Sequence, residues 1–526
     1  MALNDLYGDG HTVQLAKGGK DDFDHTKFDD AAQHVYTHGG FNAHMMSDEN
    51  VRALTRETYR VLSSAIGLKQ EVPDDLRRLL EESTFVFSGF KTYHELREVS
   101  ALMQAEDGGI KSWDKFSQEV FAIDNRYNRN YLHAEYNFAV QSAQMAAKWK
   151  DFEKDGDEYL LQYRTAGDDK VRAEHAVLHN TTLPIDDPFW DEYLPPLDWG
   201  CRCTTVQVLR DKYPVSDSAE AIAAGERATD TPKKKIFRFN PGKSGNLFPP
   251  KHPYFKLTQQ AKPVVKQAIQ AQIADELEQQ WMDELPDTLT PEQKKAIVQN
   301  FKEIEQGLGV VKGKPMSVEK ADEQSANPHY APQYIVDPNG VYKDAKGILY
   351  SKNPKYKKRY TINCATCAPA YMLRLRGFDV KAKGRVAGSG SLNDSVAYNR
   401  SFEMWKNADG TASQPTLTTV WMQSKGYASM TPERYREYFN EACAEQGVYV
   451  LTIGWRKGGG HATILLRDKD GELYYIEPQS YDSQQGARRT IDELCNDGAA
   501  YPFSKRGILR IDDKIFDTSF LPLFDI

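Results

Sequence analysis

Six cysteines in a chain of 526 residues fall as two tight pairs, Cys201/Cys203 and Cys364/Cys367, with Cys443 and Cys495 standing alone. A disulfide-built domain uses cysteine more densely, so C-x-C and C-x-x-C here point to metal binding or thiol chemistry in a reducing compartment. For a cysteine nucleophile a base is needed, and from Gly313 onward only His329 and His461 offer imidazole. His461 follows Gly458-Gly459-Gly460, where absent side chains allow close approach, and opens the apolar run Ala462 to Leu466. That is a suitable place for a base, although a glycine-rich hairpin with a surface histidine gives the same pattern.

The stretch Asn363-Cys364-Ala365-Thr366-Cys367 leads into a helix ending at Gly377, whose first amides and positive dipole end stabilise a thiolate. Pro369 belongs in the first turn of an undistorted helix, which sets the start near Thr366 and puts Cys367 nearest the dipole. Packing of two small side chains, or two ligands of a metal site, would also account for this pair. In the earlier pair, His175 and His179 are one helical turn apart and Cys201 and Cys203 follow, so four N/S ligands could close a tetrahedral, structural zinc site. Hydrogen bonding and packing that pin a loop-rich segment are the alternative, and a closed set leaves no position for a substrate.

The elements that must position these residues divide the chain. Its length exceeds one ordinary core, which predicts several domains. With charged residues at 27% and no apolar run of spanning length, no membrane contact is expected. A net charge of −8 argues against nucleic-acid binding, which needs a positive field. The N-terminus carries no basic segment followed by an apolar one, so no secretory signal is expected. The pattern predicts a helix from Asp48 to Ile66, another from Arg126 to Trp149, a loop-rich module from Leu160 to Leu209, and a linker-like stretch from Val215 to Tyr254. Ile269, Ile273, Leu277 and Trp281 share one helical face, and a capping box at Thr290/Gln293 opens a second helix, so the pair reads as a helical spacer. Beyond it come a helix from Thr431 to Gly447 and strands from Val448 to Trp455, His461 to Arg467 and Glu472 to Pro478, an α+β order.

Arg172-Ala173-Glu174-His175, Asp187-Pro188-Phe189-Trp190 and Pro195-Pro196-Leu197-Asp198-Trp199-Gly200-Cys201-Arg202-Cys203 together resemble the phage Mu F-like head morphogenesis family over residues 120 to 210. The resemblance implies a minor head protein that associates with phage portal and capsid proteins. Asn363-Cys364-x-x-Cys367, Arg374 to Val380, Gly460-His461 and Ile476-Glu477-Pro478-Gln479 resemble the papain-fold toxin family of protein-glutamine deamidases, as does Ala326-Asn327-Pro328-x-Tyr330. That resemblance favours Cys364 as nucleophile, with Cys367 the fallback, His461 as base and Glu477, in place of the family's usual aspartate, as the residue orienting it. Gln479, or amides near Cys364, would stabilise the oxyanion. No catalytic cofactor is implied.

The resulting expectation is a multidomain chain. Residues 1–119 form an N-terminal helical region, 120–210 the Mu F-like module, 211–312 linker and helical spacer, and 313–526 a papain-like α+β domain. The combination resembles prophage-encoded polymorphic toxins, in which the virion carries an effector into a target cell. Such an effector would meet a target protein there and an immunity protein at home. An inert or partner-binding C-terminus, and a head-maturation protease, are the other functions in play.

Triad geometry adds one condition. Residues opposite one another in an antiparallel pair share a face, and faces alternate along each strand. Only an odd loop between the second and third strands puts His461 and Glu477 on one face, and Gly471 is the residue able to supply positive φ at its end.

Overall fold

The computed structural model describes residues 3–7, 22–322, 326–328, 335–336, 342–343, 349–350, 359–398, 400–455, 459–480, 488–496, 500–501 and 507–526. His329 and Tyr330 lie outside them, as does Gly458. The chain divides into two compact units, Met1–Leu277 and Glu278–Ile526. No helix among the described residues is long and apolar enough to cross a membrane.

In the first unit, helices α1 (Thr26–Thr37), α2 (Glu49–Ser63), α3 (Asp74–Ala101), α4 (Trp113–Asp124) and α5 (Leu132–Asp155) surround one apolar core. Val51, Leu54, Thr58 and Leu62 supply the buried stripe of α2, the helical spacing that the sequence displays. The helix expected from Arg126 differs: residues Asn125–Tyr131 are wound as a π-helix before α5 begins. The wider turn buries Tyr127, Asn128 and Tyr131 together, and Asn128 Nδ2 donates to Glu95 at 2.6 Å and to Asp124 at 3.0 Å. Burial pushes the Glu95 carboxyl up to about 8.

After α5 the chain forms a small antiparallel sheet of β1 (Tyr159–Arg164), β2 (Thr182–Leu183) and β3 (Thr204–Leu209), in the order β2-β1-β3. Most of the segment between β1 and β3 is irregular, with the one-turn helix α6 (Ala173–Ala176) near its start. The stretch read as linker packs inside this unit. Phe248 stacks on Phe87 with ring centroids 3.9 Å apart, and Gly242 lies so close against Trp149 that an added Cβ would fall 2.3 Å from that side chain. Its aromatic residues override the loop-like Pro, Gly and Lys content around them.

Helix α7 (Ala261–Asp283) contains the division between the units, and α8 (Pro291–Leu308) begins with the expected capping box at Thr290 and Gln293. In the second unit, α9 (Cys364–Leu375) has a nearly all-buried surface, with Ala365 through Arg374 inside. A mixed-length antiparallel sheet holds β4 (Thr416–Leu417), β5 (Gly447–Trp455), β6 (Gly460–Arg467), β7 (Leu473–Ile476), β8 (Arg489–Thr490), β9 (Ala500–Tyr501) and β10 (Gly507–Arg510). Its order is β8-β7-β6-β5-β10-β4, with β9 pairing β5. Helix α10 (Pro432–Ala442) stops five residues short of the expected Gly447, and Cys443 is its buried C-cap residue rather than an interior one.

The β6–β7 hairpin decides the site. Arg467 pairs with Leu473 and Ile464 with Ile476, while the Asp468 N–H donates to the Glu472 carbonyl at 3.0 Å. The loop proper is therefore Lys469 to Gly471, an odd loop, and Gly471 has φ +83°. A Cβ at Gly471 would meet nothing within 4 Å, so Gly471→Ala carries only the backbone cost of positive φ. We expect it to destabilise the hairpin by about 1–2 kcal/mol, read as faster hydrogen exchange of β6 and β7 amides with α1–α5 unchanged.

Candidate functional site

His461 is the second residue of β6 and Glu477 immediately follows β7. The pairing ends at Ile464 and Ile476; carried on in the same count, it sets Thr463 opposite Glu477 and His461 opposite Gln479, so imidazole and carboxylate fall on one face at diagonal positions. Their contact is direct: His461 Nε2 lies 2.5 Å from Glu477 Oε2. Glu477 is further held by the Tyr475 hydroxyl, which donates to Oε2, and by the Gln479 N–H, which donates to Oε1 at 3.0 Å.

Cys364 is the first residue of α9 and remains partly exposed, whereas Cys367 is fully buried one turn further in. The helix thus starts before Thr366, and Pro369 sits in its interior rather than in its first turn. A proline there forfeits one main-chain bond and is tolerated where packing compensates. The Cys364 thiol lies beside the His461 side chain and the Ala462 N–H, both of which favour its thiolate. Nε2 being engaged by Glu477, Nδ1 is the ring nitrogen available to the sulphur.

Electrostatics follow from this order. Burial pushes the Cys364 thiol up, but the adjacent His461 charge and the Ala462 N–H outweigh it and hold the thiol below its ordinary range. For His461, burial disfavours the imidazolium, yet Glu477 and then Cys364 raise its pKa well above the usual value. Burial and the charges of Cys364 and Glu477 all drive Cys367 upward. Cys364 and His461 can therefore form a thiolate–imidazolium pair, and Cys367 is held as a buried thiol.

Gln479 lies against the start of α9, beside Cys364. With its amide oriented to satisfy both ends, its side-chain oxygen accepts from the N–H groups of Asn363 at 3.1 Å and Cys364 at 3.0 Å. The Asn363 and Cys364 amides are thus engaged by an acceptor, and Gln479 caps the start of α9 through its side-chain oxygen. Buried Asn327 donates to the carbonyls of Tyr360 and Gln479, each at 2.9 Å, and Asn363 Nδ2 donates to Asn327 Oδ1 at 3.1 Å. Sequence reasoning assigned no site role to Tyr475, Asn327 or Asn363. Tyr475 was accessible through the two-residue strand period, whereas only the family resemblance links Asn327 to Cys364.

The first unit's cysteine pair meets one histidine, not two. One ligand atom each from His175, Cys201 and Cys203 lie within 4.8 Å of one another, all three residues buried. His179 is exposed and its Nδ1 accepts from the Thr165 N–H at 3.1 Å. Helix α6 ends at Ala176, so the one-turn stacking that would align His179 with His175 is lost.

Residues 99–206 match the family described as Phage Mu protein F like protein. A Mu-like prophage FluMu F protein of Haemophilus influenzae is 27% identical over 167 residues, 32% of this chain and 39% of that protein. A putative capsid assembly protein F of Escherichia phage Mu is 38% identical over 69 residues, 13% of this chain and 16% of that protein. The aligned part of the chain thus spans well under two thirds of either relative. No solved structure matches the chain. The matched segment contains His175, Cys201 and Cys203 and ends before the Cys364 site.

If the lowered Cys364 pKa depends on His461, iodoacetamide should alkylate Cys364 ahead of Cys367, Cys443 and Cys495 in the folded chain. Its rate should fall only as pH drops through the lowered thiol pKa, and His461→Ala should move that midpoint upward. Peptide mapping across a pH series checks this, and preferential labelling of Cys367 would reassign the nucleophile.

Proposed function

We propose that the chain is a phage head-assembly protein whose C-terminal unit is a papain-like cysteine amidohydrolase that deamidates protein glutamine side chains. The head role is supported by the match over residues 99–206 and by the relatives' own descriptions as a prophage F protein and a putative capsid assembly protein. Portal and capsid proteins are its partners during assembly in the bacterial cytoplasm. The virion interior then carries the chain, and the effector acts on a protein in the target-cell cytoplasm, held in check at home by an immunity protein. The enzyme role rests on one observation, the Cys364–His461–Glu477 array with its 2.5 Å imidazole–carboxylate contact.

In the reaction, the Cys364 thiolate adds to the glutamine side-chain carbonyl. His461 gives a proton to the departing nitrogen, ammonia leaves, and a thioester remains. His461 then takes a proton from water, whose oxygen attacks the thioester and releases glutamate and the Cys364 thiol. Glu477 keeps the imidazole oriented and offsets its charge, with Tyr475 holding the carboxylate.

The test expresses the full chain, as wild type and as Cys364→Ala, in bacteria and follows growth together with the mass of cellular proteins. Growth arrest with one-dalton increases at glutamine sites, absent in Cys364→Ala, is the expected result. Cleaved capsid protein instead of mass increases would make the unit a head-maturation protease, and identical behaviour of both forms would leave only the head role. Glu477→Gln should lower the deamidation rate by roughly 10²–10⁴-fold, as loss of an imidazole-orienting carboxylate does elsewhere, while Cys443→Ala and Cys495→Ala leave it near wild type.

A further inference from the structure

We propose that His175, Cys201 and Cys203 bind one zinc ion, which ties the loop-rich segment of the first unit to its small sheet. This inference is independent of any catalytic role for the second unit. His175 Nδ1 lies 3.7 Å from Cys201 Sγ and 3.8 Å from Cys203 Sγ. Tetrahedral zinc with its usual bond lengths spaces nitrogen and sulphur ligands by about 3.6 Å along an edge, so little movement is needed for all three to ligate. The imidazole is 2% exposed and its Nε2 has no hydrogen-bond partner, so no carboxylate or carbonyl explains why the ring faces the two sulphurs. Two thiolates and an imidazole form a soft donor set that suits zinc over magnesium or calcium.

Position supports a structural purpose. Between β1 and β3 the chain has only the four-residue helix α6, the two-residue strand β2 and the four-residue helix Phe189–Glu192. His175 stands near the start of this segment, and the cysteines 26 and 28 residues later stand at its end. Linking the two ends restricts the unfolded chain and compensates for sparse main-chain pairing. These three buried residues supply three of the four tetrahedral positions.

The full chain, purified without added metal, should carry one equivalent of zinc by elemental analysis. Exchange to cobalt should give thiolate-to-cobalt charge-transfer bands in the near ultraviolet. His179→Ala should keep the metal, and His175→Ala and Cys203→Ser should lose it. Because those two variants can fail to fold, the wild-type chain supplies a second readout: chelation should expose Cys201 and Cys203 to alkylation while β5 and β6 amide exchange stays unchanged. A chain without stoichiometric zinc and without a cobalt–thiolate band overturns the proposal. So does a Cys201–Cys203 disulfide recovered from folded protein, or metal loss in His179→Ala.

Discussion

A buried imidazole is ordinarily neutral, and the second unit's site depends on reversing that preference at His461. The reversal requires negative charge on both sides of one ring: a carboxylate at Nε2 and a sulphur at the other edge. Most of the surrounding structure can be traced to this demand. An odd hairpin loop gives the carboxylate and the imidazole one face. A helix that begins at Cys364 gives the sulphur a first-turn position, and the Ala462 N–H, next in sequence to the histidine, meets that sulphur. Each contact is weakened by water, so burial strengthens the arrangement even as it penalises each isolated charge.

Glu477 has one methylene more than the aspartate its family resemblance leads one to expect. Its longer arm needs extra restraint, and the structure supplies it through the Tyr475 hydroxyl on one oxygen and the Gln479 N–H on the other. Gln479 in turn places its side-chain oxygen on the first amides of α9. The residues that follow β7 therefore connect the carboxylate to the backbone of Cys364, so a shift at either end is felt at the other. Asn327 and Asn363 complete that connection from a distant part of the chain.

Much of this arrangement was legible because it is local or periodic. The three strands, the Thr290 capping box and the parity of the β6–β7 loop all follow from patterns of two, three or four residues. Failures came where tertiary context overrode such patterns. His179 required one more helical turn than α6 has, and the residues expected as one helix from Arg126 instead begin inside a π-helical segment that buries three polar or aromatic side chains together. The stretch around Pro241 has loop composition, yet its aromatic neighbours belong to the core. Asn327 reaches Gln479 across 152 residues of chain, a distance over which single-sequence spacing carries no information.

The cysteines make the same point chemically. All six are free thiols, and sequence spacing alone cannot rank Cys364 against Cys367. Three residues along a helix move a sulphur from the first-turn amides and an imidazolium into an apolar interior, and the direction of its pKa shift inverts. The proline that argued for Cys367 acts only on the bond it removes, whereas the nearby charge acts on the thiolate itself. The difference between the two thiols is thus set by what converges on Cys364 from β6, and the helix contributes by beginning at Cys364, which leaves that residue partly open.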